Sequence, residues 1–297
     1  MSIGARRPTA LIIGGARRVG AAICRELSRA GCDVVFTYHT SEAEAAALEA
    51  ELNGTDAGGG AGGSGGGSGG GRGSPGPATD VRATTDVRAT TEMRATKDMR
   101  ATTVRLEMHE PGRLAAQIAE IALQREAWDV LVICASVYKP CSLAEFTPER
   151  AQADYQVNAV APAMICQAMA AKLAASTFPG GGSIVMMGDI HAMGPGGRPR
   201  RGFVTYSMSK CAMTELALVL SRELAPRVRV NVVAPGVVAF PETGPEADEG
   251  MRARYLARVP LRRSGTPQDA AVAVRFLALE ALYTTGQVLR VDGGEGA

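Results

Sequence analysis

The chain has 297 residues, 46% of them hydrophobic, and a formal net charge of +2. That near-neutral balance lacks the electrostatic footprint of a nucleic-acid or anionic-membrane partner. The longest apolar runs, such as "ALIIGG" and "VNVVAPGVVAF", are too short to span a bilayer, and the N-terminus enters its first strand too early to hold a cleaved signal peptide. A cytoplasmic protein is expected. The six cysteines form no C-x-x-C pair and read as reduced, mostly buried thiols. His39, His109 and His191 are scattered singly, so no metal cluster is expected.

Strands and helices alternate along the chain. "TALIIGG" predicts a strand, and "RRVGAAICRELSRAG" a helix closed by Gly31. "CDVVFTYH" predicts the second strand, and "SEAEAAALEAELNG" a helix with Ser41 as N-cap and Gly54 as stop. From Gly54 to Gly76 the chain is mostly Gly and Ser, and a six-residue repeat then runs from Asp80 ("DVRATT") to "DMRATT" at Asp98. A period of six matches neither helix nor strand, and large apolar residues are too few for a core. Residues 54–102 therefore read as a low-complexity, disordered insertion in a surface loop, with an interaction arm as the rival reading.

After the insertion "TTVRLEM" predicts a strand, "EPGRLAAQIAEIALQREA" a helix and "DVLVICAS" a buried strand. A long helix tolerating Pro162 is expected over residues 148–176, then strand "GSIVMMGD", helix "TYSMSKCAMTELALVLSRELAP" and strand "VRVNVVAPG". "PQDAAVAVRFLALE" and "GQVLRVDGG" supply the last helix and strand. Such alternation implies one α/β domain over residues 1–297: a Rossmann-type, doubly wound parallel sheet that binds ligands beyond its carboxyl strand ends.

The turn "GGARRVG" joins the first strand to its helix. Gly14, Arg17, Arg18, Val19 and Gly20 would cradle a pyrophosphate at the helix N-terminus. The second strand ends in Tyr38, His39, Thr40 and Ser41, with no carboxylate for a ribose 2′-hydroxyl. These groups and the nearby Arg17 suit a 2′-phosphate, so NADP(H) is expected over NAD(H). The plainer alternative is that they cap the next helix.

Tyr206 and Lys210 lie four apart and face one side of a helix. A lysine ammonium beside a phenol would lower its pKa and make it a usable acid near neutrality. The glycine turn, "VNAVAP" with Asn158, "APG" at 234–236 and the final "VDGG" follow in order. Together they resemble the short-chain dehydrogenase/reductase family over nearly all of the chain outside the insertion. The resemblance implies Tyr206 as general acid and Lys210 as ribose-binding and tuning residue. It implies Asn158 as holder of a relay water, and Pro235 and Gly236 along the nicotinamide. "ICAS" stands in place of the family's "NNAG", with Ala135 and Ser136 at the cofactor, and Glu107 falls where an aspartate commonly touches adenine.

The family's catalytic serine is replaced by Asp189. An ionised carboxylate would repel the oxyanion of a ketone being reduced. It can instead bond ring N–H or amino groups, which favours a nitrogen heterocycle. The alternative is that Asp189 caps a strand end and Ser183 or another hydroxyl compensates. Tyr138, two residues after "AS", is placed to stack on a flat substrate, or else simply packs at the rim. "GGARRVG", "ASVY", "MMGDIHA" and "YSMSK" together resemble the pteridine reductases, including dihydropteridine and dihydromonapterin reductases. That likeness implies NADPH-dependent reduction of a dihydropterin, or a biopterin or folate relative, by a homotetramer. The substrate would touch Arg18, Ser136, Tyr138, Asp189 and Tyr206, under a lid formed by residues 237–258. Two rivals remain at this point: a generic 3-oxoacyl or ketone reductase, and a non-catalytic NADP-binding scaffold.

Overall fold

In a computed structural model the described residues are 6–54, 100–193, 197–238, 240 and 248–297. Seven strands form one parallel sheet: β1 (Thr9–Ile13), β2 (Asp33–Tyr38), β3 (Ala101–Arg105), β4 (Val130–Ile133), β5 (Gly182–Met187), β6 (Val228–Pro235) and β7 (Val288–Val291), in the order β3-β2-β1-β4-β5-β6-β7. The order reverses at β1, which pairs with β2 on one side and β4 on the other. A crevice therefore opens beyond the carboxyl ends of β1 and β4.

Alternation along each strand fills both faces of the sheet. Ala10 and Ile12 of β1, with Val34 and Phe36 of β2, pack against helices α1 (Arg18–Arg29) and α8 (Pro267–Arg275). Leu11, Ile13 and Val35 point the other way. They meet α3 (Pro111–Leu123), α5 (Ala161–Ala174) and α6 (Val204–Glu223) through Ile118, Ile165, Met169 and Met213. Arg229 of β6 is buried, and its guanidinium donates to the Leu277, Ala278 and Ala281 carbonyls, tying the turn after α8 to the sheet.

The expected elements form, with adjusted ends. α2 (Glu42–Asn53) is closed by Gly54 in the left-handed conformation, but Ser41 makes no side-chain cap bond. The insertion lies outside the described residues except at its edges, where Gly54 caps α2 and Ala101 and Thr102 belong to β3. The helix around Pro162 is α4 (Pro148–Tyr155) joined to α5 by a π turn at Gln156–Val160. Pro162 has no N–H to give the Asn158 carbonyl four residues earlier, and the π turn absorbs that loss. The resulting 27-residue helix, Pro148–Ala174, is long and apolar enough to cross a membrane by length and composition, against the expectation from apolar runs, and its most apolar stretch is half buried. The stretch after β6 holds a helix that the sequence reading missed, α7 (Glu249–Arg258). All six cysteines are free thiols.

Candidate active site

Close backbone approach explains the glycine turn. Gly14 has φ +83°, and an added Cβ would sit 2.7 Å from the Ala135 nitrogen across the β1–β4 crevice. At Gly20 an added Cβ would meet the Gly14 carbonyl oxygen at 2.0 Å. Neither position accepts a larger residue without moving the turn. Arg18 follows with φ +48°, unusual for a branched-free but bulky side chain, and is exposed. α1 then starts with no side-chain cap and no acidic residue in its first turn. Its N-terminal N–H groups keep their positive field for an anion. Arg17 beside it is exposed and 3.6 Å from Glu44.

A cleft runs from this turn along the ends of β2 and β3. Gly14, Arg17, Tyr38, His39, Thr40, Ser41, Ala135 and Ser136 line it, as expected from the sequence. Thr37, at the same strand end, lines it too, and so do Leu106, Met108 and His109, which were not foreseen. Thr37 locks the turn: its Oγ1 accepts from the Gly14 N–H at 3.0 Å and its carbonyl from the Gly15 N–H at 2.9 Å. Of the residues expected at the cofactor, Arg18, Val19, Gly20, Glu107, Tyr206, Lys210, Pro235 and Gly236 do not line this cleft. The histidines are not all separate, contrary to the sequence reading. The Glu107 carboxylate lies 2.8 Å from His39 Nε2 and 2.9 Å from His109 Nδ1, and it also accepts from the His109 backbone N–H at 2.8 Å. Burial pushes this carboxyl up, but the His109 and His39 bonds outweigh it and hold it at about 2.

At the ends of β5 and β6 the catalytic-type groups converge. Tyr206 Oη donates to Asp189 Oδ2 at 2.8 Å, and Asp189 Oδ1 accepts from the His191 N–H at 2.7 Å. Tyr206 is only 6% exposed. Burial, then the Asp189 charge and its hydrogen bond, push the phenol well above its ordinary value. The expected lysine-lowered phenol is thus not what this structure contains. Lys210 Nζ donates to the Met187 carbonyl and approaches Met213 Sδ at 3.6 Å. Burial lowers the Lys210 ammonium to about 8.

Asn158 is fully buried, and its amide staples two segments. Oδ1 accepts from the Val137 N–H at 2.9 Å, while Nδ2 donates to the Val137 carbonyl and to Ser209 Oγ, both at 3.0 Å. The side-chain groups expected to hold a water are engaged here by protein atoms. Ser183 cannot stand in for the missing serine. It is the second residue of β5, near the end opposite Asp189, buried and with no hydrogen-bond partner for its hydroxyl.

Tyr138 stands at the mouth, 42% exposed, edge-on to Tyr206 at 4.9 Å between ring centroids. Phe203, unforeseen, stacks on it at 4.7 Å and 17°. Phe203 precedes Tyr206 by three residues, a helical spacing that marked it as a neighbour. Arg200 donates to the Tyr138 hydroxyl at 2.5 Å and lies 5.7 Å over the Phe203 ring. Behind the site, Pro235 and Gly236 end β6. The Gly236 N–H bonds the Val291 carbonyl at 3.0 Å, and the Pro235 carbonyl accepts from the Ile190 N–H at 3.3 Å. Tyr255 of α7 donates to Glu295 and accepts from the Val237 N–H at 3.1 Å, which pins α7 beside the strand end. Of the expected lid over residues 237–258, residue 239 and residues 241–247 lie outside the described residues.

Seven parallel strands in this order, a glycine turn at the β1–β4 crevice and a Tyr206–Lys210 helix facing it define a nucleotide-dependent oxidoreductase architecture. A family profile described as enoyl-(acyl carrier protein) reductase matches residues 78–295. An uncharacterized oxidoreductase from Methylorubrum extorquens is 30% identical over 96% of both chains. The chain belongs to the short-chain dehydrogenase/reductase family. Pteridine reductase 1 of Leishmania tarentolae is 29% identical over 97% of this chain and 96% of its own. The 3-oxoacyl-[acyl-carrier-protein] reductase FabG of Thermotoga maritima is 40% identical over 38% of this chain and 45% of its own. Among solved structures, a blue fluorescent protein from a metagenomic library in complex with NADPH matches with a TM-score of 0.73, at 28% identity and 98% coverage of each chain.

Proposed function

We propose that this oxidoreductase reduces a C=N bond of a dihydropterin, or of a biopterin or folate relative, to the tetrahydro form, using NADPH. The observation that carries the reading is the Asp189 carboxylate on the Tyr206 hydroxyl, where a ketone reductase needs a neutral donor.

The residues present fit the cofactor. The uncapped start of α1 and the glycine cradle suit a pyrophosphate. Arg17, His39, Thr40 and Ser41 suit a 2′-phosphate, and Pro235 and Gly236 suit the nicotinamide end. The solved structure that binds NADPH supports this choice. NADPH, when bound, supplies a hydride to the ring carbon of the C=N bond.

The chain's residues handle the proton and the orientation. The raised phenol stays protonated at neutral pH, so Tyr206 Oη holds the proton that the ring nitrogen needs. Asp189 Oδ2 accepts from Tyr206 now, and it can accept from a substrate ring N–H or amino group as the phenol turns to the nitrogen. Lys210 keeps a positive charge under the site at neutral pH. Asn158 is a positioning residue that holds the Val137 loop against α6. Tyr138, backed by Phe203, offers one flat face to a bicyclic ring. Arg18 and Ser136 complete the substrate side. The same reading makes the protein a cytoplasmic homotetramer; light scattering on the purified chain tests the assembly.

Pteridine reductase 1 of Leishmania tarentolae, alike over nearly the whole length, supports the pterin. A second reading, reduction of the keto group of a 3-oxoacyl thioester, is favoured by the FabG relative. NADPH oxidation measured with dihydrobiopterin, dihydromonapterin, dihydrofolate and acetoacetyl thioester separates the two. Turnover of the thioester alone would overturn the pterin reading.

A further inference from the structure

The insertion separates His39 from Glu107 and His109 in sequence, and the sheet rejoins them. β2 and β3 run parallel with Tyr38 opposite Arg105, and the Leu106 N–H bonds the Tyr38 carbonyl. The residues just past the two strand ends therefore emerge side by side. One ligand atom from each of His39, Glu107 and His109 lies within 4.8 Å of the other two, and the imidazole centroids are 5.3 Å apart.

We propose that His39, Glu107 and His109 bind one divalent transition-metal ion of the zinc class, whose open position takes a phosphate oxygen at the adenosine end of the cofactor. The donor set is two imidazoles and one carboxylate, the borderline-hard combination that suits such ions. Tetrahedral bonds of about 2.1 Å place ligand atoms about 3.4 Å apart. The present separations of 2.8 and 2.9 Å, each with a ring proton toward the carboxylate, open to that spacing by small side-chain rotations as each neutral imidazole carries its proton on the far nitrogen instead and gives the freed lone pair to the ion. Glu107 is already fixed: its side chain is 16% exposed, its carboxylate accepts from the His109 N–H, and its own N–H donates to Gln117 Oε1. The imidazoles are 42% and 52% exposed, which leaves an entry path.

Charge gives the site a purpose. His39 and His109 line the cleft, and with neutral rings the only full charge of the cluster is the Glu107 carboxylate, which repels a phosphate. A divalent ion turns that charge from negative to positive and leaves a coordination position open to the cleft. The metal half of the proposal stands on the side chains alone; the phosphate half rests on the NADP(H) reading of the cleft.

The full-length apoprotein is titrated with Co²⁺, followed by its visible absorption, and with Zn²⁺ by calorimetry. One ion per chain is expected. Glu107→Gln and His109→Ala should each weaken Zn²⁺ binding by about tenfold or more, with unchanged circular dichroism. Saturating Zn²⁺ should tighten NADPH about tenfold and leave NADH unchanged, and NADPH should tighten Zn²⁺ by the same factor. Absent binding, or binding unchanged in both variants, overturns the metal site. Zn²⁺ that weakens NADPH or leaves it unchanged overturns the phosphate contact. A protein that takes the metal with these ligands but binds no NADPH under any condition overturns the phosphate half and the cofactor reading together, and leaves the metal half standing.

Discussion

The Tyr206 hydroxyl donates to Asp189 Oδ2 at 2.8 Å, inside a site where the tyrosine is almost fully buried. Burial and the adjacent carboxylate both favour the neutral phenol. Tyr206 is therefore a stored proton rather than a stored base. Tyr206→Phe removes that proton and nothing that binds the cofactor phosphates. Pterin reduction should fall by about 10²–10⁴ in kcat, with the NADPH Kd within about twofold of wild type, measured by steady-state kinetics and fluorescence titration.

Lys210 gives a pH signature in stability. Burial depresses its ammonium from 10.5 to about 8, although the Asp189 and Cys134 charges pull the other way. Between those values the unfolded chain binds more protons than the folded one, so the unfolding free energy rises with pH across the window. The penalty is fully present below pH 8 and approaches about 3 kcal/mol. In urea unfolding from pH 7.5 to 10.5 the wild type should gain on Lys210→Met by about this amount as pH rises; the raised Cys24, Cys32, Cys134 and Cys166 thiols, which lower stability above pH 9, act in both proteins.

Glu107 gives a slope of the same sign in the acid range, from a stabilising group rather than a penalised one. Its carboxyl is held at about 2 against an ordinary 4.5, so its contribution is present above pH 4.5 and is lost as pH falls toward 2. Glu107→Gln should be less stable than wild type at pH 5 to 6, and the difference should close in acid. A difference that persists unchanged at pH 2 contradicts the His39 and His109 bonds as its source.

Arg18 occupies the left-handed region at φ +48°. A residue with a Cβ sits there at a cost of about 1–2 kcal/mol, partly offset by the greater chain entropy that glycine loses. Arg18→Gly should therefore melt no lower than wild type, and up to a few degrees higher. It should also raise the KM for dihydropterin more than the Kd for NADPH. A strained arginine that can be removed with no kinetic effect would be an ordinary surface residue.

The alternation of elements made the sheet legible, because each strand buried on both faces is a short continuous apolar run such as Thr9–Ile13. The Tyr206–Lys210 pair and the glycine turn were legible because local spacing fixes their geometry. α7 escaped because Glu249–Arg258 is charged on most sides and buries only Tyr255, so it shows little apolar periodicity. The histidine–glutamate cluster escaped for a topological reason: strand register, acting across the insertion, brings together residues 68 positions apart. The Lys210 partner was misjudged because helical spacing fixes a face and not a rotamer. The ammonium turns to the Met187 carbonyl at the end of β5.

The most direct test of the central claim compares wild type with Asp189→Ser on two substrates, dihydrobiopterin and acetoacetyl thioester, by NADPH oxidation. The carboxylate account predicts pterin turnover by the wild type, a loss of about 10²-fold or more in the variant, and equal or higher thioester reduction in the variant. Undiminished pterin turnover in Asp189→Ser, or no pterin turnover by the wild type, would contradict it.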